Sequence, residues 1–256
     1  RDHAAITVVE DGNPVLLNFC FNGWGMKFAA CYDNQITENL YKSGAFREGI
    51  ELRDHSWFTF EGGAIESNGD GCLLTTSTCL LSGNRNEHLG REQIDAFLKR
   101  TLYAEKIVWL DHGFLEGDDT DSHVDTLARF CGPDTIAYVK CGNPEDIHFE
   151  ELNKMEQELR RATNQHGDRF KLVALPFPDP VYAEDGHRLP AAYANFLILN
   201  KAVLLPVYGV VQDAEARSVL ASLFPDREII GVNSVPLIKQ HGSIHCISMQ
   251  FPEGVL

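Results

Sequence analysis

The chain has 256 residues, 44% of them hydrophobic, which is enough to bury a sizeable core in one large domain or two small ones. Lys and Arg number 22 against 37 Asp and Glu; the net charge of -15 argues against a nucleic acid or an anionic membrane surface as partner and favours small cations through long-range steering. Seven cysteines without a C-x-x-C pair point to a reduced, cytoplasmic protein with no zinc knuckle, and no apolar run approaches the length of a membrane span.

The hydrophobic period divides the chain into similar stretches, each with two strand-like runs joined by a turn, then an amphipathic helix, then a third strand. The first has strands at 6–9 and 15–19 around Asp11-Gly12-Asn13 and a short helix at 38–43. In the second, Asn68-Gly69-Asp70-Gly71 marks a hairpin within 61–76, Ile94, Phe97 and Leu98 recur at helical spacing in 91–102, and 107–110 closes the unit. The third runs from His123 to Cys141 through Gly132-Pro133-Asp134. Its helix at 148–161 carries Phe149, Leu152, Met155 and Leu159 on one side, and 171–176 is the closing strand. The fourth turns at Asn200-Lys201 between 194–199 and 202–207, followed by a helix at 213–223 and a strand at 227–232. A fifth copy begins at Gly242 and stops after Phe251. Four copies and a fragment, arranged in a ring, make one α/β domain over residues 1–256.

Polar residues recur near the start of each copy: Asp2, Glu61, His123 with Asp125, Asn195, and Cys246. Equivalent positions of repeated units converge when the units close, so a central site follows. The densest polar stretch is Gly117 to Phe130, where Asp118, Asp119, Asp121 and Asp125 surround His123. On an extended strand His123 and Asp125 leave the same face, setting a proton-transfer group beside a fixed negative charge, which suits a cationic substrate. Hard-cation ligation by Asp119, Asp121, His123 and Asp125 is the competing reading, although the spacing is not that of an EF-hand and no second histidine stands at helical ligand spacing. Cys246 has a small, polar approach in Gly242-Ser243-Ile244-His245, whereas the other six cysteines read as core thiols. A nucleophilic cysteine needs a base or acid held close, for which His123 is the candidate, with Glu61 as its orienting carboxylate. His112 and His241 read as polar loop residues.

The chain resembles the agmatine deiminase and bacterial-type peptidylarginine deiminase family of the guanidine-modifying superfamily. The matching stretches are Arg1-Asp2, Phe21-Asn22-Gly23-Trp24-Gly25, Glu61-Gly62-Gly63, Asn84-Arg85-Asn86, Gly117 to Phe130, Leu189 to Phe196, Phe224-Pro225-Asp226-Arg227, and Gly242 to Cys246. That resemblance implies a five-bladed α/β propeller of ββαβ units with one blade incomplete in this chain, and hydrolysis of a guanidinium to a ureido group with release of ammonia. It implies no metal and no organic cofactor. By motif position Cys246 corresponds to the nucleophile, His123 to the general acid/base and Glu61 to its partner. Asp2 and Asp125 match the carboxylates that grip the guanidinium, Asn195 is a further substrate-facing residue, and Asp119 is a candidate for the distal amine of agmatine. The family usually carries a Trp shortly before the Arg-Asp pair and a Gly-Pro after it; here the sequence begins at Arg1 and Ala4-Ala5 follow His3, so the expectation is a domain lacking the family's N-terminal part.

Agmatine is the substrate expected, on the acidic charge and the lack of a secretion signal; deimination of arginine in peptides is the alternative in the same class. A non-catalytic module is the alternative in another class, with the ring left open and its apolar edges covered in a homo-oligomer.

Overall fold

Each expected hairpin forms because a turn sequence separates two apolar runs that can bury their faces together. The computed structural model describes residues 1–256, with twelve strands in four separate three-stranded sheets. Sheet one contains β1 (Ile6–Glu10), β2 (Asn13–Cys20) and β3 (Glu51–Thr59); sheet two contains β4 (Ile65–Ser67), β5 (Cys72–Thr76) and β6 (Lys106–Leu110). Sheet three contains β7 (Ala128–Phe130), β8 (Thr135–Lys140) and β9 (Lys171–Pro176); sheet four contains β10 (Leu197–Ile198), β11 (Ala202–Val207) and β12 (Glu228–Asn233). In all four the first strand runs antiparallel to the second and the second parallel to the third. A parallel pair needs a long crossover, which the helices Ile36–Lys42, Arg91–Thr101, Phe149–Arg161 and Gln212–Leu223 supply. This is the ββαβ plan read from the repeat, with four sheets formed of the five blades that the family resemblance implied.

The second hairpin shows how sequence sets the turn. Gly69 and Gly71 take φ of +73° and +86°, and the Asn68 side chain accepts from the amides of Asp70 and Cys72, each at 2.9 Å. All of β5 is buried, and its alternating faces serve two cores. Cys72 and Leu74 join the large cluster that also holds Ile136, Met155, Leu159 and Leu220, while Leu73 joins the cluster of Phe19, Phe58, Phe60, Ile94 and Phe97. A strand sandwiched in this way loses the alternating polarity of a surface strand and reads as continuous apolar sequence.

Three differences from the sequence reading lie where the copies begin. Glu61 is extended but precedes a 3-10 turn at Gly62–Ala64, and only two residues of the expected 194–199 strand, Leu197–Ile198, form a ladder. His123 and Asp125 lie on no strand: His123 caps a 3-10 turn at Val124–Thr126 and β7 starts beyond it. Side chains satisfy the backbone there, since Thr120 Oγ1 accepts from the His123 amide at 3.1 Å and Thr126 Oγ1 donates to the His123 carbonyl at 2.9 Å. The fifth stretch also forms turns and no strand. Its amides find local carbonyls and Asn195, as in Ile247 to Ser243 and His245 to Asn195, both at 3.2 Å.

The first and last segments meet. Arg1 donates Nε–H to the His245 carbonyl at 3.3 Å and Nη2–H to Ser248 and Gln250, and Val255 packs with Ala5, Leu16, Phe46 and Ile50. No helix is long and apolar enough to cross a membrane.

Candidate active site

The polar starts of the copies converge. Asp2, Glu61, His123, Asp125 and Asn195 are all buried, and Cys246 stands partly exposed among them. Asp2 and Cys246 line a cavity of about 410 Å³ together with Trp24, Asp118, Asp119 and His241, and the others stand behind that wall, Asp125 Oδ2 at 3.9 Å from Cys246 Sγ and His123 Nδ1 at 3.8 Å from Asp2 Oδ2. Two comparable clefts, of about 460 and 540 Å³, are lined by residues around Pro176–Pro180 and around Glu48–Glu51, away from these groups; the convergent polar set, rather than volume, marks the site.

Glu61 accepts from His123 Nε2 at 3.0 Å and takes both of its oxygens to Arg85 Nε, at 2.9 and 3.1 Å. Arg85 continues to Asp121 at 2.6 Å and to the Thr120 carbonyl at 2.9 Å. Burial opposes a charged His123, but Asp2 and the hydrogen bond to Glu61 outweigh it and hold the ring's pKa well above its ordinary value. With Nε2–H donated to Glu61, the imidazolium has Nδ1–H left over. That atom is buried with no partner, and Asp2 Oδ2 lies 3.8 Å away.

Asp2 is fixed by the Gly63 amide at 2.8 Å and by the Trp24 indole N–H at 3.0 Å. Trp24 reaches it from a left-handed stretch in which Trp24, Gly25 and Met26 have φ of 57°, 80° and 65°, pinned where Asn22 accepts from the Gly25 amide at 2.9 Å. Although burial raises its pKa, His123, the ammonium of Arg1 and the two donors bring Asp2 below the usual carboxylate value. Asp125 behaves differently. Burial lifts it to about 6 against the lowering effect of His123; Oδ2 accepts from His245 Nδ1 at 2.6 Å, and Oδ1 is buried without a partner.

Asn195, expected to face the substrate, directs its amide to the thiol loop: Nδ2 lies 3.2 Å from Cys246 Sγ, and Oδ1 accepts from the His245 amide at 3.0 Å. Cys246 Sγ is 3.9 Å from Asp125 Oδ2, and burial together with Asp125 and Asp2 pushes the thiol pKa up. A guanidinium entering between those carboxylates would offset their charge and help the thiolate form. Asp119 stands at the rim, where burial and Asp118 raise its pKa; Lys27 holds its carbonyl at 2.7 Å. Asp118 itself ties the loop, accepting from Thr120 and from the Ser122 amide.

Of the four cation-ligand candidates, Asp119 stands at the rim, Asp121 pairs with Arg85, His123 with Glu61 and Asp125 with His245, so they do not gather as one ligand set. Glu61, Cys79 and His123 do bring three potential ligand atoms within 4.8 Å of one another. Both Glu61 oxygens are engaged by the fully buried Arg85, however, and a divalent cation there would leave that guanidinium without its partner. Cys79, read from sequence as a core thiol, lies 3.8 Å from Glu61 Oε2, and burial keeps its proton on.

Gly63 is what lets these groups meet. A Cβ at this position would lie 2.5 Å from His123 Nδ1, 3.0 Å from Asp2 Oδ1 and 3.2 Å from Asp125 Oδ2. Gly63→Ala is expected to lower kcat/KM by roughly a hundredfold or more through misplacement of these groups, with the protein still folded by circular dichroism; parental kinetics in this variant would refute the close approach.

Sequence reasoning gave no role to Arg85, Trp24, Cys79 and Arg129, and it noted His245 beside Cys246 without finding its partners. Arg85 and Trp24 fall inside stretches that carry the family resemblance, and a charged residue in the Asn84-Arg85-Asn86 loop was the available signal. The fold is a set of ββαβ units whose inner ends bring together the Cys246 thiol, the His123 imidazole and the carboxylates of Asp2, Glu61 and Asp125. The chain belongs to the Porphyromonas-type peptidyl-arginine deiminase family, whose profile matches residues 1–252. It is 33% identical to the agmatine deiminase of Pseudomonas fluorescens over 98% of this chain and 73% of that protein. Among solved structures it is similar to a Porphyromonas gingivalis protein provisionally described as an arginine deiminase, with 50% identity, TM-score 0.98, and 100% and 75% of the two chains covered. It is also similar to a substrate-bound agmatine deiminase variant from C. jejuni, with 43% identity, TM-score 0.89, and 96% and 71% covered.

Proposed function

We propose that this protein is a hydrolase of C–N bonds in amidines that converts agmatine to N-carbamoylputrescine and ammonia in the cytoplasm, a step of putrescine synthesis. The observation that carries this reading is the cluster of Asp2, Asp125, His123 and Cys246, of which Asp2 and Cys246 line one cavity while His123 Nδ1 and Asp125 Oδ1 are buried without partners behind them. Asp2 and Asp125 grip the guanidinium nitrogens and fix its plane, so that the central carbon faces Sγ of Cys246. The thiolate adds to that carbon, His123 gives its proton to the departing ammonia, and the S-alkylthiouronium remains. His123 then takes a proton from water, whose oxygen adds to the same carbon and expels the thiolate, leaving the urea. Asp119 at the rim suits the distal ammonium of agmatine.

Ammonia release measured side by side with agmatine, free arginine and a blocked arginine peptide tests the substrate. Agmatine should give the highest kcat/KM; a faster peptide would favour the second reading, peptidyl-arginine deimination, which the family's description favours. The pH dependence follows from Asp125. It must be ionised to hold a cation, so kcat/KM should fall about tenfold per unit below roughly pH 6. An acid limb near the ordinary aspartate value would remove Asp125 from the clamp.

A further inference from the structure

Behind Asp125 stands a row of buried side chains that the chemistry above does not use. Glu66 ion-pairs with Arg129 Nε at 2.5 Å, and Arg129 Nη1 donates to the carbonyls of Phe196 at 2.6 Å and Ala194 at 3.1 Å. Arg129 Nη2 lies 3.1 Å from Nε2 of His245, whose Nδ1 lies 2.6 Å from Asp125 Oδ2. Glu66, Arg129 and His245 are 8%, 3% and 2% exposed, so water does not provide an alternative partner.

The roles in this row are forced by chemistry. A guanidinium has donors only, so Nε2 of His245 must be the acceptor and the ring proton must sit on Nδ1. A second proton, on Nε2, would face the N–H of Arg129 in a dry site. Burial and the charges of Arg129 and Arg1 push the His245 pKa well below its ordinary value, in keeping with a neutral ring.

We propose that Glu66, Arg129 and His245 form a positioning relay: Arg129 fixes the Nδ1–H tautomer of His245, and that N–H occupies Oδ2 of Asp125 so that Oδ1 is left facing the guanidinium. The inference rests on Asp125 being part of the substrate clamp. The charged and titratable groups around Asp125 are His245, His123, Asp2, Cys246, Arg129 and Arg1, and of these His245 is the one bonded to its carboxylate. Without that donor the carboxylate is free to turn and holds its own proton more readily. His245 is a positioning residue here: it acts on the substrate through Asp125.

The tautomer is read directly by imidazole nitrogen NMR of the full chain labelled at histidine, with the His245 signals assigned by their loss in His245→Asn. One protonated and one unprotonated nitrogen, with Nδ1 protonated and unchanged from about pH 6 to about pH 8, is expected. Protonation of Nε2, alone or together with Nδ1, would overturn the relay whatever the activity, and this readout still decides if a variant fails to fold. Kinetics then test the consequence. His245→Phe keeps a ring and loses the donor; it should lower kcat/KM roughly ten- to hundredfold and move the acid limb up by about one unit. His245→Asn keeps an N–H near the Nδ1 position and should restore most of both. Equal impairment of the two variants with an unmoved acid limb would mean that His245 only fills space. A parent without turnover would instead defeat the deiminase reading and leave the tautomer measurement to decide the relay.

Discussion

Cys246→Ser should abolish turnover, with a loss on the order of 10⁴-fold or more, the scale seen when a nucleophile is removed from a covalent mechanism. The hydroxyl nearly matches the thiol in size and can keep the contact with Asn195, so folding and substrate binding should persist. Calorimetric titration of the variant with agmatine, set against ammonia release, separates the two effects. Cys31 provides the control, because it is the exposed thiol and stands outside the cavity lining. A haloacetamidine, which joins a guanidinium mimic to a leaving group, should label Cys246 first, whereas a neutral alkylating reagent should find Cys31 first. Turnover within tenfold of the parent in Cys246→Ser would end the nucleophile assignment.

Arg85→Met is expected to cause the largest loss of stability, because it strands a buried charge. Arg85 and Glu61 are both fully buried, and without the guanidinium the Glu61 carboxylate has only His123 and the Cys79 thiol near it. Removing one partner of a buried pair costs roughly 3–5 kcal/mol, which in a chain of this size is a fall in Tm on the order of 10 °C. Adding Glu61→Leu to Arg85→Met should recover much of the stability, since the stranded charge is gone, yet leave the enzyme inactive because His123 has lost its orienting carboxylate. A single variant that melts with the parent would show that the pair is not what holds this part of the fold.

Strands and helices in mid-copy were legible in the sequence because each is written in its own periodicity; the closing strand at Lys171–Pro176 matches to the residue. The first strands of the second, third and fourth copies were not, since Glu61, His123 and Asn195 lead into them through turns, and nothing in a two-residue period distinguishes that from a ladder. The site divides the same way. Cys246, His123, Glu61, Asp2 and Asp125 could be named from motifs that carry their chemistry locally. Partners across space could not: His245 and Asp125 are 120 residues apart and Arg85 and Glu61 are 24 apart, separations with no periodic meaning. Asn195 was found by position but its contacts with Cys246 and His245 were not, because a repeat tells which residues converge without telling which of them touch.

No backbone ladder passes from one sheet to the next, so the four sheets are joined through side chains at their inner ends. Arg129, at the start of the third sheet, reaches Glu66 in the second, the Ala194 and Phe196 carbonyls at the fourth, and His245 in the last stretch. A guanidinium held by Asp2 and Asp125 would add one more such junction, between the entry to the first sheet and the entry to the third. The substrate then serves as a keystone as well as a reactant: at about a hundred times its dissociation constant it would add about 2.7 kcal/mol to the folded state, and the architecture would be tightest while the reaction is under way.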